Sequence, residues 1–267
     1  MPSPTAADTF HKAEGTGPPL VLIHGVGLDL DMWDALAAAL APRHQVVRYD
    51  MIGHGGTPAQ VGESGSGRLE LGDFVDQLDE LLRSLDLSRI ALIGFSMGAL
   101  VAQAFAIAQP NRVRRLAIVN GVYDRDPAQR AAVLARWRAA VEQGPEALIE
   151  AALVRWFSPD FAARNPAVPA ALRRRLEGND RDGFLAAYRV FAEADAALAG
   201  RLGAIPCPAL VMTGSDDPGS TPEMARAMAA VLPNARLEIL PGARHMMPLE
   251  AAAAVNAALG AFLDEDG

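Results

Sequence analysis

A serine, a histidine and a set of aspartates stand where the chain could assemble an acyl-transfer site. Ser96 lies in Gly94-Phe95-Ser96-Met97-Gly98. A serine hydroxyl is a poor nucleophile until a base takes its proton, and that base needs an acid to orient it. His24 and His54 sit in glycine-rich loops, and His11 and His44 precede the serine. His245 stands apart in Pro241-Gly242-Ala243-Arg244-His245, directly after an apolar run. For the acid, Asp216 and Asp217 follow Thr213-Gly214-Ser215, and Asp124 follows an earlier apolar run. Serine, then aspartate, then histidine is the order expected when the nucleophile sits on a strand-to-helix turn.

The elements around Ser96 explain its glycines. Ile90-Ala91-Leu92-Ile93 is a short apolar run of the kind a buried parallel strand gives, and residues 99–108 are rich in helix formers up to Gln109-Pro110. A strand that reverses into a helix within a few residues needs a tight turn. Neighbours without a Cβ let that turn close and hold the hydroxyl over the helix N-terminus. Similar runs at 20–23, 45–49, 116–119, 209–212 and 237–240 predict further strands. Helical spacing predicts helices through 32–40, capped by Asp29 or Asp31, and through 71–85, 222–231 and 249–262.

Strand alternating with helix implies an α/β fold with a mostly parallel sheet covered on both faces. The alternation stops at Tyr123. Residues 123–203 carry helical patterns only, at 133–141, 147–157, 172–176 and 184–198, with Pro145, Pro159, Pro166 and Pro169 as separators. They are expected to form a helical cap inserted into a core made of residues 1–122 and 204–267.

The chain has 267 residues, 51% of them hydrophobic, enough for one α/β domain with an insertion. No apolar run is long enough to span a membrane, and a net charge of −8 argues against nucleic acid and anionic membrane as partners. Residues 1–8 lack the basic start and apolar stretch of a signal peptide, and a single cysteine, Cys207, fits a reducing compartment, so a cytoplasmic location is expected. The charge is uneven: residues 123–203 hold 12 Arg against 11 Asp and Glu, so the insertion is relatively basic. No nucleotide fingerprint or metal-ligand spacing appears, so neither cofactor nor metal is expected.

With His24-Gly25, Asp50-x-x-Gly53-His54-Gly55, the Gly-x-Ser-x-Gly turn and His245 in this order, the whole chain resembles the α/β-hydrolases. The resemblance implies that the acid lies three residues after Gly214, at Asp217. It also implies an oxyanion hole made of the backbone N–H groups of Val26 and Met97, with His24 shaping the first of these loops. Within that superfamily the insertion is most similar to the 3-oxoadipate enol-lactone hydrolases of aromatic degradation. Trp156-Phe157-Ser158-Pro159-Asp160-Phe161, Tyr188 and Ala192-Glu193-Ala194-Asp195 carry the similarity. It weakens after the base, where those enzymes tend to have a polar residue followed by Val-Glu and this chain has Met246-Met247-Pro248-Leu249-Glu250.

The implied activity is that of a metal-free serine hydrolase cleaving a small-molecule carboxylic ester or lactone. A carbon–carbon bond hydrolase of ring-cleavage products, a perhydrolase, and a ligand-binding receptor without turnover stand as alternatives. Trp137, Trp156, Tyr188 and Met246 are the candidates to line the substrate pocket, although core packing explains such side chains equally well. A substrate carboxylate would call for an arginine from the insertion, with Arg130, Arg136 and Arg155 lying nearest its apolar helical faces. Arg173-Arg174-Arg175 is expected to be a solvated helix face.

Overall fold

Alternate residues of each central strand feed two separate cores. Val21, Ile23, Val47, Leu92, Leu116, Ile118 and Val211 pack on one face of the sheet, while Leu20, Leu22, Val46, Ala91, Ile93, Ala117 and Met212 pack on the other. Because both faces are buried, these strands read as continuous apolar runs and not as an alternation. The computed structural model describes residues 8–59 and 68–265. Residues 60–67 and 266–267, and all but the last of residues 1–8, which lack a signal-peptide pattern, lie outside the described residues.

The chain runs β1 (His11–Glu14), β2 (Pro19–Ile23), α1 (Asp34–Leu40), β3 (Gln45–Tyr49), α2 (Leu71–Ser84), β4 (Ile90–Phe95), α3 (Met97–Ala108) and β5 (Val113–Val119). Six helices follow without a strand: α4 (Pro127–Gln143), α5 (Ile149–Trp156), α6 (Pro159–Arg164), α7 (Ala167–Glu177), α8 (Arg181–Glu193) and α9 (Asp195–Leu198). The alternation then resumes with β6 (Ala209–Gly214), α10 (Pro222–Val231), β7 (Ala235–Leu240), α11 (Met247–Glu250) and α12 (Ala252–Asp264). The seven strands are ordered β1-β3-β2-β4-β5-β6-β7, with β1 antiparallel and the rest parallel. Side chains of α2, α3 and α10 fill the first core, and those of α1 and α12 the second.

The structure departs from the sequence expectations in four places. Strand β1 carries no apolar run, because His-Lys-Ala-Glu is polar, as suits a half-exposed edge strand. Pro159 starts a helix that the periodicity missed: Ser158 caps α6 by accepting from the Phe161 N–H at 3.3 Å. Pro169 does not separate helices but lies in the first turn of α7, where a missing N–H costs no intrahelical bond. The closing helix is broken at Ala251, whose φ of −124° is not helical.

Candidate active site

The turn after β4 sets the geometry of everything else. Ser96 has φ +54° and ψ −113°, a conformation that costs a non-glycine residue roughly 1–3 kcal/mol. Its N–H donates to Val119 O at 2.9 Å, which anchors the turn to the end of β5. A Cβ on Gly94 would lie 2.2 Å from Gly98 O, and one on Gly98 would lie 2.4 Å from His24 O. Those backbone contacts let α3 reverse directly over the strand ends, and they are why this frame needs both glycines.

His245 follows β7 and reaches back across β6. Its Nε2 is 3.1 Å from Ser96 Oγ and its Nδ1 is 2.7 Å from Asp217 Oδ2. With a carboxylate as partner, Nδ1 carries the proton and Nε2 is free to accept from the serine hydroxyl. The ring lies between Phe95 and Trp156, at centroid distances of 5.1 and 6.0 Å. Asp217 is 3% exposed, and its Oδ1 accepts from the N–H groups of Gly219 (2.8 Å) and Ser220 (3.1 Å). Burial alone would raise its pKa, but His245 and the surrounding hydrogen-bond donors outweigh burial and hold the carboxyl below its ordinary 3.8. Asp216 is turned away, accepting from Ser215 Oγ at 2.7 Å, and Asp124 is exposed. Of the three carboxylates left open by the sequence, Asp217 is the one beside the histidine.

Two backbone N–H groups flank Ser96. Met97 opens α3, so its N–H has no intrahelical acceptor, and Val26 lies in the loop after β2 and lines the cavity above the serine. Neither N–H has a protein acceptor among the described residues. The Val26 loop is braced from beneath. His24 Nε2 accepts from Met51 N–H at 2.9 Å, which leaves the proton on Nδ1 to donate to Gly25 O at 2.7 Å. Burial, with His54 as neighbour, lowers the His24 pKa well below 6.5, so the ring stays neutral. Asp50 ties the same region together by accepting from Leu30 N and Gly56 N, each at 2.8 Å.

Above Ser96, His245 and Asp217 lies a cavity of about 220 Å³ roofed by α4, α5, α7 and α8. Trp156 and Tyr188 line it. Trp137 does not: its Nε1 donates to Leu185 O at 3.0 Å and its ring packs with Val133, Tyr188 and Phe184 inside the helical layer. Met246 does not either, because it is fully buried under the sheet edge in the second core.

Three arginines reach the cavity, Arg125, Arg136 and Arg155. Arg125, which sequence reading missed, is bound to the buried Asp195 through Nη1 (3.0 Å) and its own N–H (2.9 Å). Arg136 donates from Nε to Tyr188 Oη at 3.4 Å, and Arg155 has no carboxylate partner among the described residues. Burial, then the charge of Arg136, pulls the Arg155 pKa down from its ordinary value. Arg130 lies outside the cavity lining, with Asp195 as its carboxylate partner. Arg175 is not simply solvated: it pairs with Asp29 and donates to Leu28 O, joining α7 to the Val26 loop.

A family model for the alpha/beta hydrolase fold matches residues 18–252. The chain is an α/β-hydrolase. Among curated relatives of this α/β-hydrolase, (E)-2-((N-methylformamido)methylene)succinate hydrolase of Acinetobacter baylyi is 37% identical over 96% of this chain and 94% of that protein. The 3-oxoadipate enol-lactonase 2 of the same organism is 29% identical over 96% and 91%. Among solved structures, the enol-lactonase from Burkholderia xenovorans LB400 superposes with a TM-score of 0.88 at 30% identity, covering 96% of each chain. The similarity to enol-lactonases read from the sequence therefore holds in both comparisons. No helix among the described residues of this α/β-hydrolase is long and apolar enough to cross a membrane.

Proposed function

We propose that this α/β-hydrolase is a serine hydrolase that cleaves a carboxylic ester or lactone in a small substrate bearing a further carboxylate. The observation that carries the reading is the continuous contact from Ser96 Oγ through His245 to Asp217. In this reading Ser96 attacks the carbonyl while His245 Nε2 takes its proton, and Asp217 holds the ring in the required tautomer. The N–H groups of Val26 and Met97 bind the developing oxyanion. His245 then returns its proton to the leaving oxygen and activates water to release the acid. Residues 123–203 act as a cap over a catalytic core of residues 1–122 and 204–267. A single buried cysteine fits a reducing compartment such as the cytoplasm.

The carboxylate follows from charge. Asp195 neutralises Arg125, whereas Arg136 and Arg155 face the cavity without a carboxylate of their own among the described residues. A substrate anion would supply the counter-charge that these side chains lack. The names of the two relatives carry succinate and 3-oxoadipate, both of them dicarboxylate skeletons. The formamido group in the name of the 37%-identical relative favours a second reading, in which the same machinery attacks an amide carbonyl.

The test is labelling with a fluorophosphonate, followed by turnover of a panel of acidic lactones, acidic enamides, neutral aryl esters and ring-cleavage diketones. Labelling at Ser96 with fastest turnover of an acidic lactone supports the first reading. Fastest turnover of the enamide transfers support to the second, and labelling without any turnover would make the protein a receptor.

A further inference from the structure

The carboxylate of Asp217 has one neighbour that the catalytic reading leaves unused. Asn120, the residue directly after β5, is fully buried and donates from Nδ2 to Asp217 Oδ2 at 2.8 Å. That oxygen is the one that accepts from His245 Nδ1 at 2.7 Å. Turned the other way, the amide would set its oxygen against the carboxylate, acceptor against acceptor, so the donor orientation is the one that chemistry permits.

The backbone holds Asn120 there at a cost. Its φ is +48°, a region that asparagine tolerates better than most side chains. Its N–H donates to Met212 O at 2.8 Å and its C=O accepts from Ser220 Oγ at 2.6 Å, while the Ser220 N–H donates to Asp217. The preceding residue, Val119, accepts from the Ser96 N–H. Two adjacent residues at the end of β5 therefore fix the nucleophile and the acid together.

We propose that Asn120 is a positioning residue of the triad, whose amide N–H aims Asp217 Oδ2 at His245 and sets the pH at which the base becomes available. The inference rests on the reading of Ser96, His245 and Asp217 given above. Its physical basis is charge distribution. A fixed donor on Oδ2 takes up part of the carboxylate's negative charge, so the imidazolium feels less of it. Removing the donor leaves more negative charge facing His245 and favours its protonated, inactive form.

None of the other charged groups around the pair bonds Asn120 among the described residues. Ser96 faces the histidine from the turn after β4, and Arg125, Arg136, Arg155 and Tyr188 face it across the cavity from the cap. Asp216 is engaged by Ser215, Arg244 by the carbonyls of Val154 and Phe157, and Glu250 by the N–H groups of Ser158 and Arg244.

The test compares Asn120→Gly with the unmutated enzyme on p-nitrophenyl acetate, since glycine adopts the positive φ without strain. With the donor gone, kcat should fall about tenfold with KM little changed. The acid limb of the kcat/KM profile should move to higher pH by about half a unit. In an Asp217→Asn background the same substitution should alter kcat by less than about twofold, because the group it acts through is already lost. Asn120→Ser, too short to reach Oδ2, gives the same measurements if the glycine variant does not fold. An unshifted acid limb, or an equal fold-loss in both backgrounds, would overturn the proposal. Ser96→Ala is the control: activity surviving there brings down the proposed function, whereas its loss alongside an unshifted limb brings down only the role of Asn120.

Discussion

The carboxyl edge of the sheet and the helical layer above it solve different problems with different materials. At the sheet edge, Ser96, Asp217 and His245 are each at least nine-tenths buried and ride on short turns pinned by main-chain bonds. Ser96 N is held by Val119 O, Ser215 N by Leu240 O at 2.9 Å, and Asp216 N by Ala243 O at 3.0 Å. In the layer above, the cavity walls are long side chains set by ion pairs and ring contacts. Arg125 stacks 4.5 Å from the Phe191 ring while bound to Asp195, and Tyr188 lies 6.2 Å from Phe191. Backbone-pinned turns resist change at any one position, whereas a wall of separate side chains can be altered one residue at a time. Under the proposed function, reactivity belongs to the first region and substrate choice to the second.

Substitutions at the sheet edge should therefore damage every substrate alike, and by the largest factors. Ser96→Ala should lower kcat by up to about 10⁶ with an unchanged melting curve. Asp217→Asn should cost on the order of 10⁴, while Asp216→Asn stays within about twofold. Comparable losses at 216 and 217 in a steady-state assay would erase the distinction between the buried and the exposed aspartate.

Within the helical layer the largest effect should be on folding. Asp195→Ala strands the buried Arg125 charge and should cost about 3–5 kcal/mol in urea unfolding. A loss below about 1 kcal/mol would mean that the pair is screened or replaced by water. Selectivity comes next. Arg155→Ala should raise KM about tenfold for an acidic lactone and leave a neutral aryl ester nearly unchanged, since the lost contact is remote from the reacting carbonyl. Equal changes for both substrates would count against a binding role and move Arg155 into the supporting structure.

The last effect is linked to pH and arises in the loops at the sheet edge. Burial lowers the His54 pKa from 6.5 to about 4 and moves His24 the same way. Both stay neutral when folded but take up protons when unfolded below about pH 6.5. The unfolded chain then binds more protons, so stability is fully present above that pH and falls as pH drops toward 4, by at most about 1.4 kcal/mol per unit for each histidine. Asp29 and Asp50, raised by burial, act the opposite way at lower pH, so urea midpoints should be compared near pH 6.5 and 5.5. Identical midpoints would show that these rings are not held neutral.

What was legible in the sequence shares one property: it is local. The strand runs, the glycines around Ser96 and the switch to helices after Tyr123 each depend on neighbours within a few residues. Backbone sterics and burial period write such features directly into composition. Spacing alone left Asp216 and Asp217 adjacent and undecided, and the resemblance to α/β-hydrolases pointed to Asp217, which lies against His245 in the fold.

Other features needed the fold. Trp137 and Trp156 are the same residue on neighbouring helices, yet one packs within the helical layer and the other lies against the base. Arg125 owes its place to Asp195, 70 residues away, and Asn120 meets Asp217 across 97. No period or turn preference encodes such meetings, because sheet order and helix packing decide which distant side chains share a cavity. The sequence by itself determined the strand-to-helix turn that exposes a serine and the order of its partners. The tertiary structure decided which aspartate, which asparagine and which arginines surround it, because those contacts exist only once the strand ends are brought side by side.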